Sequence, residues 1–241
     1  MSTPRRFFIE NLDPAATEAR LEGEEFIHAK TVLRVEAGSE IVLLDGSGKE
    51  YSAIVSKIEK HCLSAHIIGV TEGDKEPKAQ IYLLCGALKG DKTELVVQKA
   101  TELGVTEIGI FSSEYCSAYM NENKLERLNK VAREAAKQCL RSRAPKVAYF
   151  ADLYSALKSA CGYKNKLFAC EFLKNSATDM RAINGPTALV VGSEGGFSHK
   201  EFEEAEKLGF YGVTLGKRIL RAETAAVVMC ALAAQALGEL E

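Results

Sequence analysis

The stretch Thr187–Ala226, TALVVGSEGGFSHKEFEEAEKLGFYGVTLGKRILRAETAA, sets the fold class. Its apolar opening, Thr187 to Val191, reads as a buried strand. A glycine-rich loop follows, Gly192 to Phe197. Ser198 with Glu201 three residues on has the spacing of a capping box, which satisfies orphan amides in the first turn of a helix. A second strand is expected over Tyr211–Leu215, ahead of Gly216, a basic loop Lys217–Arg221 and a long helix of small apolar residues from Ala222. Two strand ends therefore each deliver a loop with free backbone groups, and in open α/β sheets ligands bind outside the carboxyl ends of the strands. Glycines at 192, 195 and 196 let the backbone approach a ring or ribose, so the loops suit an adenosine-like ligand. The glycines alone fit plain connecting turns equally well. The charges set among them, Glu194 in one loop and Arg218, Arg221 and Glu223 in the other, favour a ligand site.

Upstream, strand and helix patterns alternate. Gln80–Ala87 reads as a buried strand, Asp91–Leu103 as an amphipathic helix closed by Gly104, and Glu107–Phe111 as the next strand. A long helix over about Asn123–Leu140, a strand at Lys146–Phe150, a helix at Asp152–Ala160 and a strand at Lys166–Cys170 complete the series. Such alternation implies a mainly parallel sheet covered on both faces. Residues 1–72 read instead as a small β-rich domain, with strands at Glu40–Leu44, Tyr51–Ile58 and Leu63–Val70. Asp45-Gly46-Ser47-Gly48 is a hairpin turn between the first two. The same GSGK tetrad is not a phosphate loop, because Leu43 and Glu50 occupy the positions that need Gly and Ser or Thr. The charged run Thr71–Pro77 is the expected linker to a second domain at 73–241.

The 241 residues, 46% hydrophobic and 27% charged, are those of an ordinary globular chain. No apolar run reaches the roughly 18 residues of a membrane span, and Met1–Ile9 lacks the apolar centre of a signal peptide. A cytoplasmic location with no membrane partner is expected. The seven cysteines are odd in number and none forms a C-x-x-C pair, so no disulfide framework and no metal site is expected. Gly192–Gly196 is not the G-x-G-x-x-G of a nicotinamide oxidoreductase, and no acidic residue ends the next strand to take a ribose. With a net charge of only −2, nucleic-acid contact must be local. The candidates are Arg5, Arg6, Lys30 and Arg34 in the first domain, and the segment Asn121–Lys146, where Arg127, Lys130, Arg133, Lys137 and Arg141 share a broad helix face before Arg143. A solvated helix face explains such spacing too. The last helix is apolar on every side and so is expected to be covered all round, within the fold or by a second subunit.

The segments 192–201 (GSEGGFSHKE) and 215–225 (LGKRILRAETA) resemble the two C-terminal signatures of the 16S ribosomal RNA uridine N3-methyltransferases, members of the SPOUT superfamily. The resemblance continues through 88–105 (LKGDKTELVVQKATELGV), 133–147 (REAAKQCLRSRAPKV) and 27–53 (IHAKTVLRVEAGSEIVLLDGSGKEYSA). Ser193 departs from the family's usual Pro. The resemblance implies a C-terminal SPOUT-type α/β domain with a deep trefoil knot, a small N-terminal PUA-like β-barrel that grips RNA, and a homodimer in which both subunits shape each site. It also implies S-adenosylmethionine as cofactor and 16S ribosomal RNA or the small ribosomal subunit as partner. For the cofactor it agrees with glycine placement on Gly192, Glu194, Gly195, Gly196, Leu215, Gly216, Ile219 and Leu220. For RNA it points to Arg5, Arg6 and Arg34; Arg141 and Arg143 are candidates from the basic segment itself, which leads into Pro145 and a strand end beside the ligand loops.

Methyl transfer to N3 of uracil needs an oriented donor, an oriented acceptor and removal of the weakly acidic N3 proton. A cation beside the uracil oxygens stabilises the anion, and a carboxylate or basic side chain takes the proton. Arg221 is the first candidate for the cation, with Lys89 and Arg141 behind it. Glu223 and Glu194 are candidate bases, although Glu223 equally suits a structural role at a helix start. The alternative function is a non-catalytic RNA-binding or ribosome-assembly protein, which has no need of two ligand loops.

Overall fold

The computed structural model describes residues 4–10, 12–173 and 179–240. The chain forms two compact units: Met1–Glu76 with Ala136–Ala144, and Pro77–Ala135 with Pro145–Glu241.

The first unit is a five-stranded mixed sheet of β1 (Arg5–Phe8), β2 (Glu18–Leu21), β3 (Glu40–Leu44), β4 (Lys49–Ile58) and β5 (Leu63–Glu72), in the order β1-β3-β4-β5-β2. The β3–β4 hairpin turns where the sequence places it. There Asp45 accepts hydrogen bonds from the Ser47 amide (2.8 Å) and the Tyr51 hydroxyl (3.0 Å). Register shifts at Ser52/Ala53 and Val55/Lys57 bulge the β4–β5 ladder and curl the sheet into a half-barrel. The flanking strands β1 and β2 are only four residues each, RRFF and EARL, too short to show a period in the sequence. Between β2 and β3 lie helix α1 (Gly23–Ile27) and a π-helical turn, His28–Val32. Phe7, Phe26, Leu43, Tyr51 and Leu63 fill the core of this unit.

The second unit is a six-stranded, all-parallel sheet of β6 (Ile81–Gly86), β7 (Glu107–Phe111), β8 (Lys146–Phe150), β9 (Asn165–Ala169), β10 (Thr187–Val191) and β11 (Tyr211–Val213), in the order β11-β9-β10-β6-β7-β8. Every residue of β6 and β10 is buried, as central strands covered on both faces must be. Helices α2 (Lys92–Glu102), α3 (Glu122–Gln138) and α6 (Ala222–Ala236) join the core on one face. Helices α4 (Leu153–Ser159) and α5 (His199–Lys207) cover the other. Asn129 of α3 ties down the edge strand β8, donating to the Val147 carbonyl and accepting from its amide.

Strand order, which periodicity cannot supply, places β10 between β9 and β6. Helix α6 packs against β6 and β10 and also against the 3₁₀ turn Met180–Ala182 of the β9–β10 connection. The last helix thus lies against both the sheet and the connection between β9 and β10. Within one chain α6 is only partly covered. Ala226, Met229, Cys230 and Ala233 are buried, but Leu232 is 42% exposed. Its exposed positions are Thr224, Leu232 and Gln235, so Leu232 is the large apolar side chain that the described residues leave open.

Candidate active site

Because the sheet is parallel, the carboxyl ends of β9, β10 and β11 share one edge, and there a cleft of about 720 Å³ opens. Its walls are Ala169–Glu171 and Leu173 after β9, Val191–Glu194, Gly196 and Phe197 after β10, and Thr214–Glu223 with Ala225 after β11. The paired loops inferred from the sequence therefore meet in one site. Of the expected cofactor residues, Gly192, Glu194, Gly196, Leu215, Gly216, Ile219 and Leu220 all line it. Gly195 does not line it. A Cβ at Gly195 would press on the Tyr115 backbone carbonyl at 2.7 Å, so this glycine serves a close approach within the protein. Gly216 is the opposite case: its φ is +98° and a Cβ there would meet nothing within 4 Å. Helix α5 anchors the first loop from below. Ser198 and Glu201 form the anticipated capping box, and Glu201 also accepts the Glu114 amide at 2.9 Å.

Charge in the cleft is organised around a residue that motif reading passed over. Lys92, the first residue of α2, puts Nζ 3.4 Å from Glu194 Oε1 and 3.8 Å from Glu223 Oε2. Lys89, three residues earlier, reaches Glu194 only through its backbone amide (3.1 Å), and its side chain is exposed. Both lysines stand in one LKGDK segment, and only the start of α2 decides which side chain faces the cleft. Burial works against ionisation of Glu194, but the Lys89 amide, its own backbone amide and Lys92 outweigh it and hold the carboxyl below its ordinary value. Arg221 is the N-cap of α6, is exposed, and has no ion pair among the described residues. Glu223 follows in the first turn, where a carboxylate suits the helix dipole. Its Oε2 is buried and has no hydrogen-bond partner among the described residues, as is true of Ser193 Oγ. Burial pushes the Cys170 thiol on the cleft wall up to about 12, which leaves it unreactive as a nucleophile.

The basic residues expected to meet RNA divide into two sets. Arg6 is 9% exposed and gives both terminal nitrogens to Glu50, at 3.0 and 2.7 Å. Arg141, also a catalytic candidate, is 4% exposed and bonds Glu76 at 3.3 Å; it belongs to the first unit and is not among the cleft's lining residues. Lys137 is likewise buried, on Glu25 at 3.0 Å, and Leu140, with φ of 65°, has already broken the helix. The cations of α3 and its exit therefore do not form one solvent face. Arg5 and Arg34 are exposed. Arg143 is exposed too, although its guanidinium donates to the Ser47 carbonyl.

Residues 74–234 match the RNA methyltransferase domain family, and residues 21–68 the RNA methyltransferase PUA domain family. Ribosomal RNA small subunit methyltransferase E of Bacillus subtilis is 30% identical over 236 residues, covering 92% of both chains. The Mesomycoplasma hyopneumoniae protein of the same name is 38% identical over 173 residues, covering 68% of this chain and 74% of its own. Among solved structures, ribosomal RNA small subunit methyltransferase E of Neisseria gonorrhoeae, bound to S-adenosyl methionine, superposes with a TM-score of 0.87 at 30% identity, covering 98% of each chain. Fold, paired loops and relatives matched over almost their whole length agree: the chain belongs to the ribosomal RNA small subunit methyltransferase E family of RNA methyltransferases.

Proposed function

We propose that this protein binds S-adenosylmethionine in the cleft and methylates N3 of a specific uridine in 16S ribosomal RNA, acting as a homodimer. The observation that carries the reading is the meeting of the 192–197 and 214–223 loops at the carboxyl edge of a parallel sheet, in a cleft whose volume lies within the range of small-molecule sites. The residues present suit the cofactor. Backbone groups around Gly192 and Gly216 and the apolar Leu215, Ile219 and Leu220 offer a bed for an adenosine, and Ser193 Oγ is a polar atom that has no hydrogen-bond partner among the described residues. When bound, the cofactor supplies a methyl group on a sulfonium. The chain's part is to orient both reactants, to stabilise the uracil anion and to remove its proton. Arg221, at the head of α6 and without an ion pair among the described residues, is assigned to the anion. Arg5, Arg34 and Arg143, exposed on the first unit, are assigned to RNA phosphates. The exposed Leu232 of α6 supports the dimer.

The direct test incubates the protein and S-adenosylmethionine with small ribosomal subunits lacking the modification, then digests the RNA and measures 3-methyluridine by mass spectrometry. Arg221→Ala is expected to lower product formation by about 100-fold or more, with folding verified by its melting curve. Methylated product at a different nucleotide position or atom would overturn the N3 assignment. A folded wild-type protein that neither binds the cofactor nor yields product would leave a non-catalytic RNA-binding protein.

A further inference from the structure

We infer that Glu223 takes the N3 proton of the target uracil and that Lys92 positions it to do so, a reading that rests on the proposed N3 methylation. Two carboxylates flank Lys92, and they are not equivalent. Glu194 is committed: its Oε1 receives the Lys89 amide at 3.1 Å and Lys92 Nζ at 3.4 Å. Those donors hold its pKa low against burial, and a carboxylate so well supplied is a weak proton acceptor. Glu223 Oε2 is buried and has no hydrogen-bond partner among the described residues, and Lys92 Nζ at 3.8 Å is an ion-pair neighbour beyond hydrogen-bonding reach. A buried acceptor left without a donor is costly, so a donor entering the cleft is drawn to that oxygen. Uracil N3–H is such a donor. In the step, the N3–H bond breaks with its electron pair left on N3, and the proton bonds to Oε2, turning the carboxylate into a carboxylic acid. The pair on N3 is then free to accept the methyl group.

Placement supports the assignment. Glu223 sits two residues after Arg221, so the proton acceptor and the cation assigned to the anion share one helix start. Lys92 opens α2, which packs against α6. The ammonium spans the two carboxylates and keeps Glu223 turned into the cleft. The charged groups lining the cleft with Glu223 are Lys92 from α2, Glu194 after β10, Glu171 after β9, and Lys217, Arg218 and Arg221 after β11.

The test is single-turnover methyl transfer to unmodified small subunits from neutral to alkaline pH, with the S-adenosylmethionine Kd measured separately by calorimetry. Glu223→Gln is expected to slow transfer about 100-fold or more near neutrality, with Kd held within about threefold of the wild type. The gap should close as pH rises, because uracil already ionised by solvent needs no acceptor. Lys92→Met should show a smaller, about tenfold, loss with the same closing gap and unchanged Kd, and Lys92→Arg should restore the rate. Transfer by Glu223→Gln at the wild-type rate, a loss equal at every pH, or a loss of cofactor binding would each overturn the inference. If Glu223→Gln does not fold, Lys92→Met decides by the same pH-dependent gap or its absence. A wild-type protein that makes no 3-methyluridine overturns the proposed function itself, whereas wild-type turnover matched by Glu223→Gln overturns this assignment alone.

Discussion

Gly195 and Gly216 stand in equivalent loops but are needed for different reasons, and substitution separates them. At Gly195 the obstacle is the Tyr115 backbone, which cannot swing away as a side chain can. Gly195→Ala is expected to cost about 1–3 kcal/mol by overpacking, visible as a lowered Tm without ligand. At Gly216 there is space, and the cost is only that of placing an L-residue at positive φ. Gly216→Ala is expected to lose about 1–2 kcal/mol and to weaken cofactor binding through the displaced loop. Equal loss of Tm with unchanged Kd in both variants would refute the distinction. Arg6 and Glu50 make the corresponding point for charges. Arg6 donates to both oxygens of Glu50 and Ser142 adds a third bond at 2.6 Å; these outweigh burial and hold Glu50 below its ordinary value of 4.5. A lowered folded-state pKa means stability that is fully present above pH 4.5 and is lost as pH falls through the folded value. The wild-type melting temperature should therefore fall with acidification in that window. Glu50→Gln should flatten the dependence and, by leaving a buried guanidinium unpaired, cost about 3 kcal/mol at neutral pH.

At the scale of elements, the start of α5 is held by more than its cap. Ser198 accepts the Glu201 amide, a bond worth about 1 kcal/mol. Glu201 returns a bond to the Ser198 amide and takes the Glu114 amide as well, both at 2.9 Å. It therefore fixes the segment after β7 as well as its own helix. Ser198→Ala should lower stability by about 1 kcal/mol. Glu201→Ala, which orphans two amides in a buried setting, should cost about 2–4 kcal/mol. Denaturant melts of the two variants decide this, and equal losses would reduce Glu201 to an ordinary capping residue. The sequence displays the Ser198–Glu201 spacing openly. It cannot display Glu114, because that partner is 87 residues away.

At the scale of the whole molecule, α6 is mostly apolar yet leaves Leu232 42% exposed. If Leu232 is covered by a second copy, Leu232→Glu should convert a dimer to monomers in size-exclusion chromatography with light scattering. A wild-type protein that is monomeric at micromolar concentration would remove the dimer from the proposal. The first unit makes a second claim on the chain. Ala136–Ala144 belongs with Met1–Glu76, and it supplies Lys137 to Glu25, Arg141 to Glu76 and the Ser142 hydroxyl to Glu50. A fragment ending at Glu76 deprives Glu25 and Glu76 of these ion pairs and leaves Glu50 with Arg6 alone, so it is expected to melt below the same unit in the intact protein. Proteolysis resistance of the fragment matching that of the whole chain would contradict this.

What the sequence by itself determined is local. Period and length placed the strands of the parallel sheet, glycine placement marked the two loops, the Ser198–Glu201 spacing marked a helix start, and the Asp45–Gly48 turn marked a hairpin, because each depends on residues within a few positions of one another. Tertiary structure alone decided that β10 enters between β9 and β6, that Lys92 and not Lys89 turns into the cleft, that Arg6 and Arg141 are spent on internal carboxylates, and that Leu232 of α6 is left open. Each of these depends on pairs tens to more than a hundred residues apart, set by strand order and packing. A sequence read along its length carries no distance of that kind.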